Sequence, residues 1–154
     1  MSPRILMITS RYYERIALEL EAGAHEVLDA AGATTTVKLV PGAFEIPAAV
    51  AMAADSDLYD GYVTLGCVVR GETTHYDYVC GESARGLMDL SVGRRLAIGY
   101  GILTVENQDP FEKGGCWRHR HIQDWYHADH IQAQQLVRRP QRQDLPSPTK
   151  SKLK

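Results

Sequence analysis

Cysteine is scarce in this 154-residue chain: three residues, widely spaced and odd in number. That excludes a disulfide framework as the basis of the fold and points to a reducing compartment, so a cytoplasmic location is expected. A large charge imbalance is lacking too, since a formal net charge of -2 offers no footprint for nucleic acid. No apolar run is long enough to span a membrane. The opening Met1-Ser2-Pro3-Arg4-Ile5-Leu6-Met7-Ile8 reads as a first strand, without the long apolar stretch of a signal peptide. A Gly-x-Gly-x-x-Gly pattern is missing after that strand, which disfavours a generic nucleotide binder. What remains is an ordinary globular balance, 44% hydrophobic and 23% charged, in a length that suits one domain with a real core.

Periodicity supplies the elements. Arg4 to Thr9 and Asp60 to Val69 are apolar runs suited to buried strands. Thr34 to Val40 is β-branched and stops at Pro41-Gly42, a third strand, and Arg95 to Thr104 is a fourth. Between them, Ile16, Leu20, Ala24, Val27 and Ala31 recur at helical spacing from Glu14 to Ala31, with Gly32 placed to end the helix. Glu45 to Ala54 is alanine-rich and helical, and Tyr76 to Val92 puts Val79, Ser83, Leu87 and Leu90 on one helix face. Strands alternating with helices predict an α/β fold, a three-layer α/β/α sandwich around a parallel four-stranded sheet. Ligands of such sheets bind beyond the carboxyl ends of the strands. Three unusual loops fall there: Arg11-Tyr12-Tyr13, Pro41 to Glu45, and Arg70 to His75.

The last of these is the richest. An apolar strand stops at Arg70-Gly71, Thr73 and Thr74 follow, and His75 heads a helix. Free N–H groups at a helix start attract phosphate, Gly71 allows close approach, and the threonine hydroxyls add donors. His75 can pass protons near neutral pH. The plainer alternative is that Thr74 caps the helix and His75 sits half exposed beside it. Phe44 beside Glu45 could stack on a ring and accept hydroxyl hydrogens; the alternative is a hydrophobic staple followed by an acidic first turn. Tyr12 and Tyr100 could flank a planar ligand, although packing is the usual work of tyrosine. Cys67 and Cys80 read as small core residues rather than nucleophiles. Cys116, His119, His121, His127 and His130 match no standard zinc spacing, and no metal site is expected.

Three motifs together carry a family resemblance. Pro41-Gly42-Ala43-Phe44-Glu45-Ile46-Pro47, the Arg-Gly-Glu-Thr-Thr-His core within Gly66 to Asp77, and Gly101-Ile102-Leu103-Thr104-Val105-Glu106-Asn107 resemble the 6,7-dimethyl-8-ribityllumazine synthases, over about residues 4 to 107. The resemblance implies a flavodoxin-like sandwich and a transferase of riboflavin biosynthesis. It would condense 5-amino-6-(D-ribitylamino)uracil with 3,4-dihydroxy-2-butanone 4-phosphate, without a metal or organic cofactor. It further implies that Tyr12 stacks on the pyrimidine and that Ala43, Phe44 and Glu45 hold the ribityl chain and ring edge. Cys67, Val68 and Val69 would line the pyrimidine slot with backbone groups. Glu72 and Thr73 would hold the butanone phosphate, and His75 would transfer protons. Tyr100 would reach the ligand of a neighbouring subunit. The implied assembly is a homo-oligomer, a pentamer or a shell of twelve pentamers.

After Asn107 the pattern breaks. Gln108-Asp109-Pro110-Phe111 replaces the family's next helix, and Pro110 opposes a long helix there. The place of the family's phosphate-binding arginine falls on Gly114, and Lys113 or Arg118 has no strong claim to replace it. The domain is expected to run to residue 137, with 138–154 too poor in apolar residues to order itself. Two readings follow: a working synthase, or a catalytically weak or inactive flavin- or lumazine-binding assembly protein of the same fold.

Overall fold

A computed structural model describes residues 2–107 of the chain. The expected domain end at 137, the tail from 138, Lys113, Gly114, Arg118, and the cysteine and histidines between 116 and 130 lie outside the described residues. Within them the order is β1 (Arg4–Ser10), α1 (Glu14–Ala30), β2 (Thr34–Val40), α2 (Ile46–Ala54), β3 (Gly61–Val69), α3 (His75–Gly93) and β4 (Ile98–Val105). The four strands pair in the order β2-β1-β3-β4, every pair parallel.

Alternation of side chains along the central strands explains the layers. Ile5 and Met7 of β1 join Val63, Leu65 and Cys67 of β3 in one cluster with Ile16, Leu20, Val27 and Leu28 of α1. Leu6 and Ile8 point the other way and meet Ile46 and Val50 of α2 and Val79 and Leu87 of α3. The sheet is therefore covered on both faces, as a parallel sheet requires, and the flavodoxin-like sandwich expected from the sequence is the one found.

Local chemistry sets the ends. α1 stops where Gly32 takes φ +70. The Gly32 N–H then donates to the Asp29 carbonyl and the Ala33 N–H to that of Leu28, which satisfies two orphaned carbonyls. Asp60, read as the first residue of β3, instead clamps Arg4: it accepts from the Arg4 backbone N–H at 2.8 Å and from its guanidinium at 3.1 and 3.2 Å. β4 starts at Ile98 rather than Arg95, because Arg95 occupies the left-handed region at φ +55 and completes the turn from α3. Gly86 of α3 lies so close to α2 that an added Cβ would stand 2.9 Å from the Pro47 Cβ, so the two helices pack almost backbone to ring.

Glu21 is the one buried charged side chain among the described residues. Its carboxylate accepts from the Arg11 guanidinium at 2.9 and 2.6 Å. These bonds hold the Glu21 carboxyl below its ordinary value of 4.5, against burial, which pushes it up. A lowered carboxyl pKa contributes stability that is complete above the ordinary value and lost as pH falls through the lowered one. The thermal midpoint is thus expected to drop on acidification below pH 4.5, and Glu21→Gln to flatten part of that acid limb. At neutral pH the same variant should melt lower by about 4–8 °C. Parallel acid limbs in scanning calorimetry of the two proteins would count against a stabilising pair.

Candidate functional site

The carboxyl ends of all four strands lie at one edge of the sheet. Because β1 pairs with β2 on one side and β3 on the other, the chain leaves β1 and β3 toward opposite faces and a crevice opens between them. Gly66 of β3 forms its floor. A Cβ there would stand 3.6 Å from the Ser10 Cβ, 3.8 Å from Ile46 Cδ1 and 3.9 Å from the Ala43 Cβ. The ends of β1 and β3 and the turn after β2 are therefore in direct contact.

The β1 turn carries Tyr12, whose ring is 75% exposed and meets Tyr13 edge-on at 5.1 Å. Its root is fixed by Arg11, held to Glu21 of α1. The turn after β2 is a short 3₁₀ helix, Ala43–Glu45, placed before α2. Ala43 is buried, while Phe44 is 53% exposed. That exposure disfavours the staple alternative for Phe44, since more than half of the residue faces outward. Glu45 folds back so that its Oε2 lies 2.9 Å from where a Gly42 Cβ would be. The Ser10 hydroxyl donates to the Pro41 carbonyl at 3.4 Å, a long bond joining this turn to β1.

Gly71, Glu72, Thr73, Thr74 and His75 are all exposed. The helix begins at His75 itself, one residue earlier than the periodicity indicates, and Thr74 makes no side-chain capping bond. The capping alternative for the Thr74 side chain therefore fails. It is the Thr73 hydroxyl oxygen that accepts, weakly, from the His75 N–H at 3.4 Å. The Thr74 carbonyl accepts from the Asp77 N–H at 3.1 Å, so Thr74 opens the helix through its backbone and not its side chain. Beside this turn the Arg70 guanidinium meets Glu106 at 2.6 Å and Asp77 at 3.0 Å, and lies 4.0 Å over the Tyr76 ring.

β3 brings Cys67, Val68 and Val69 to the same edge. Cys67 points into the α1-side core, where burial pushes its thiol up to about 12, so it presents backbone and not a nucleophile. Tyr100 is not brought to these turns. It pairs with Thr64 in the middle of β4 and packs on the α2–α3 side. Burial raises its phenol pKa, opposed by a hydrogen bond with Ser83 of α3. Tyr12, Ala43, Phe44, Glu45, Cys67, Val68, Val69, Glu72, Thr73 and His75 thus lie on or just past three strand ends at one edge of the sheet, and Tyr100 lies away from it. Arg70, Tyr76 and Glu106 were missed as a group, since only the β3–β4 pairing brings residue 106 beside residue 70.

Comparison with known proteins agrees with this geometry. The profile of the 6,7-dimethyl-8-ribityllumazine synthase family matches residues 2–116, a little beyond the limit near 107 that the motifs indicate. The chain is 61% identical over 105 residues to the 6,7-dimethyl-8-ribityllumazine synthase of Methylobacterium radiotolerans, covering 68% of this chain and 64% of that protein. It is 55% identical over 111 residues to the synthase of Methylorubrum extorquens, covering 69% and 64%. With the synthase of Bartonella tribocorum the figures are 53% over 108 residues, 70% and 72%. The chain thus spans just under two thirds of the length of the first two relatives.

Cys67 offers a chemical check on the buried floor. Iodoacetamide at about pH 8 should leave it unmodified in the folded protein and alkylate it on unfolding. Peptide mass mapping reads this directly, and native alkylation at the rate of a free thiol would mean the floor is open.

Proposed function

Since the chain belongs to the 6,7-dimethyl-8-ribityllumazine synthase family, we propose that it catalyses the family's condensation. 5-Amino-6-(D-ribitylamino)uracil and 3,4-dihydroxy-2-butanone 4-phosphate would give the lumazine, inorganic phosphate and water. The observation that carries this is the meeting of the β1 end and the turn after β2 on Gly66 of β3, with His75 at the head of α3.

The pyrimidine enters between the exposed rings of Tyr12 and Phe44, with its edge along the backbone of Cys67, Val68 and Val69. Glu45 and the Ala43 turn accept the ribityl hydroxyls. The phosphate of the second substrate lies on the β3–α3 turn, held by N–H groups of Glu72 and Thr73 and by the Thr73 hydroxyl. Imine formation needs protons moved to and from the carbonyl oxygen and the attacking amine, and phosphate loss needs the departing anion stabilised. His75 carries the protons and the turn stabilises the anion. Holding two substrates in contact supplies much of the remaining acceleration. No metal or organic cofactor has a step in this scheme.

Tyr100 then acts on the ligand of a second copy of the chain, which makes the site complete only in an assembly. A cytoplasmic pentamer, alone or twelve to a shell, is the arrangement we propose, with the catalytic domain ending near residue 137. Exposed apolar side chains on α3, Tyr78, Met88 and Val92, support burial against another copy. Light scattering on the purified protein tests it, and a monomer at micromolar concentration would refute it.

The reaction is tested by mixing purified protein with both substrates and following lumazine fluorescence. Product above the uncatalysed background is expected; none would overturn the reading. His75→Ala should lower kcat by about 10²-fold or more and leave pyrimidine binding nearly intact. Gly42→Ala should act differently. Gly42 is extended at φ -146, so the backbone tolerates alanine, but the new methyl displaces the Glu45 carboxylate. KM for the pyrimidine is expected to rise about tenfold at nearly constant kcat, since one ground-state contact is lost. An unchanged KM would remove Glu45 from the site.

A further inference from the structure

We propose that Arg70 is a positioning residue that fixes the β3–α3 turn, and through it His75 and the anion-facing N–H groups. The residues it acts on take their roles from the reaction proposed above; the anchoring itself does not depend on that reaction.

The turn has little to hold it in place. Residues 71 to 75 are exposed, and among the described residues the hydroxyl contact recorded within it is the long Thr73–His75 bond of 3.4 Å. A turn of this kind is fixed by its two roots. Arg70 joins both. Its backbone N–H donates to the Val105 carbonyl at 2.9 Å, which carries the β3–β4 pairing one residue past β3. Its guanidinium reaches Glu106, just past the end of β4, and Asp77 in the first turn of α3. Its flat face covers Tyr76, a buried ring with a hydrogen bond to Thr104. One side chain therefore ties β3, β4 and α3 together around the turn.

Charge decides between anchoring and direct anion binding. Two carboxylates already face the one guanidinium, and their bonds, that of Glu106 first, raise its pKa further. A phosphate would have to displace a bonded carboxylate to reach it, whereas the N–H groups of Glu72 and Thr73 assigned to it above lie in the exposed turn. Exposed ion pairs taken singly contribute little to global stability. Arranged on one planar fork they fix direction, which lysine, a point charge on a flexible stem, cannot reproduce. The effect of removing Arg70 is therefore local.

Amide hydrogen exchange on the full chain tests this without reference to activity. The Asp77 N–H donates to the Thr74 carbonyl at 3.1 Å and reports on the first turn of α3. Arg70→Ala should speed its exchange by about tenfold while amides of β1 keep their rates. Glu106→Gln, an exposed change that spares the fold, should give a smaller acceleration. The double variant should exchange no faster than Arg70→Ala alone, because both changes break one network. Asp77 exchange within about twofold of the parent, or full additivity in the double variant, overturns the proposal. In steady-state kinetics, Arg70→Ala should raise KM for the butanone phosphate about tenfold and that for the pyrimidine less than about twofold, with Arg70→Lys failing to restore it. An active parent whose variants loosen the turn but keep both KM values severs the turn from the site and also overturns it. A parent that makes no lumazine refutes the reaction, while the exchange result still decides the anchoring.

Discussion

Parallel pairing of β1 with both β2 and β3 is the constraint on which the rest of the molecule depends. Parallel strands need crossovers, and right-handed crossovers leading to opposite sides of β1 put α1 on one face and α2 on the other. That placement buries both faces of β1 and β3 and gathers their turns at one edge. It also requires close approach at the crevice floor. Gly66 faces Ser10, Ala43 and Ile46 at distances that a single methyl would fill in ordinary van der Waals contact. A side chain larger than a methyl there would push the β2 turn outward and widen the slot in which a flat ring is proposed to lie.

The edge that results is polar, exposed and short of apolar anchors, so each turn is secured at its root. Arg11 is held by buried Glu21 beneath the tyrosine turn. Ser10 reaches the Pro41 carbonyl, and Glu45 curls over Gly42. Arg70 spans β4 and α3 beside the threonine turn. Three different devices serve one need: the tips that meet ligand stay exposed while their positions are set from below. Burial sets the Glu21 pair apart from these, because salt screens it least while the loss of water from its carboxylate offsets part of the attraction.

Much of this was legible in the sequence because the two periodicities differ so clearly. The apolar runs of β1 and β3 and the three- and four-residue spacing of α1 and α3 leave few other folds. Boundaries were harder to read. Nothing in Pro41 to Pro47 distinguishes a 3₁₀ turn from the first turn of α2, because Pro47 suits either. Thr74 looks like a cap by residue type, yet its hydroxyl makes no capping bond. Arg70 ended a strand in the sequence; only the β3–β4 pairing brings Glu106, 36 positions away, to its guanidinium. The substrates were legible by resemblance alone, since spacing and charge reach no further than an anion, a flat ring and a mobile proton.

Tyr100 bears on the assembly proposed above. Its position in the middle of β4, bonded to Ser83 under α3, keeps it from the turns of its own crevice. Meanwhile Tyr12 and Phe44 face outward, 75% and 53% exposed among the described residues. A condensation that expels water gains from a site that excludes it, and two exposed rings do not exclude water by themselves. Two incomplete features can be resolved by one arrangement, in which the β4 side of one copy faces the crevice of the next. Closing the site and burying the apolar side of α3 would then be the same event, so that assembly and catalysis share one interface.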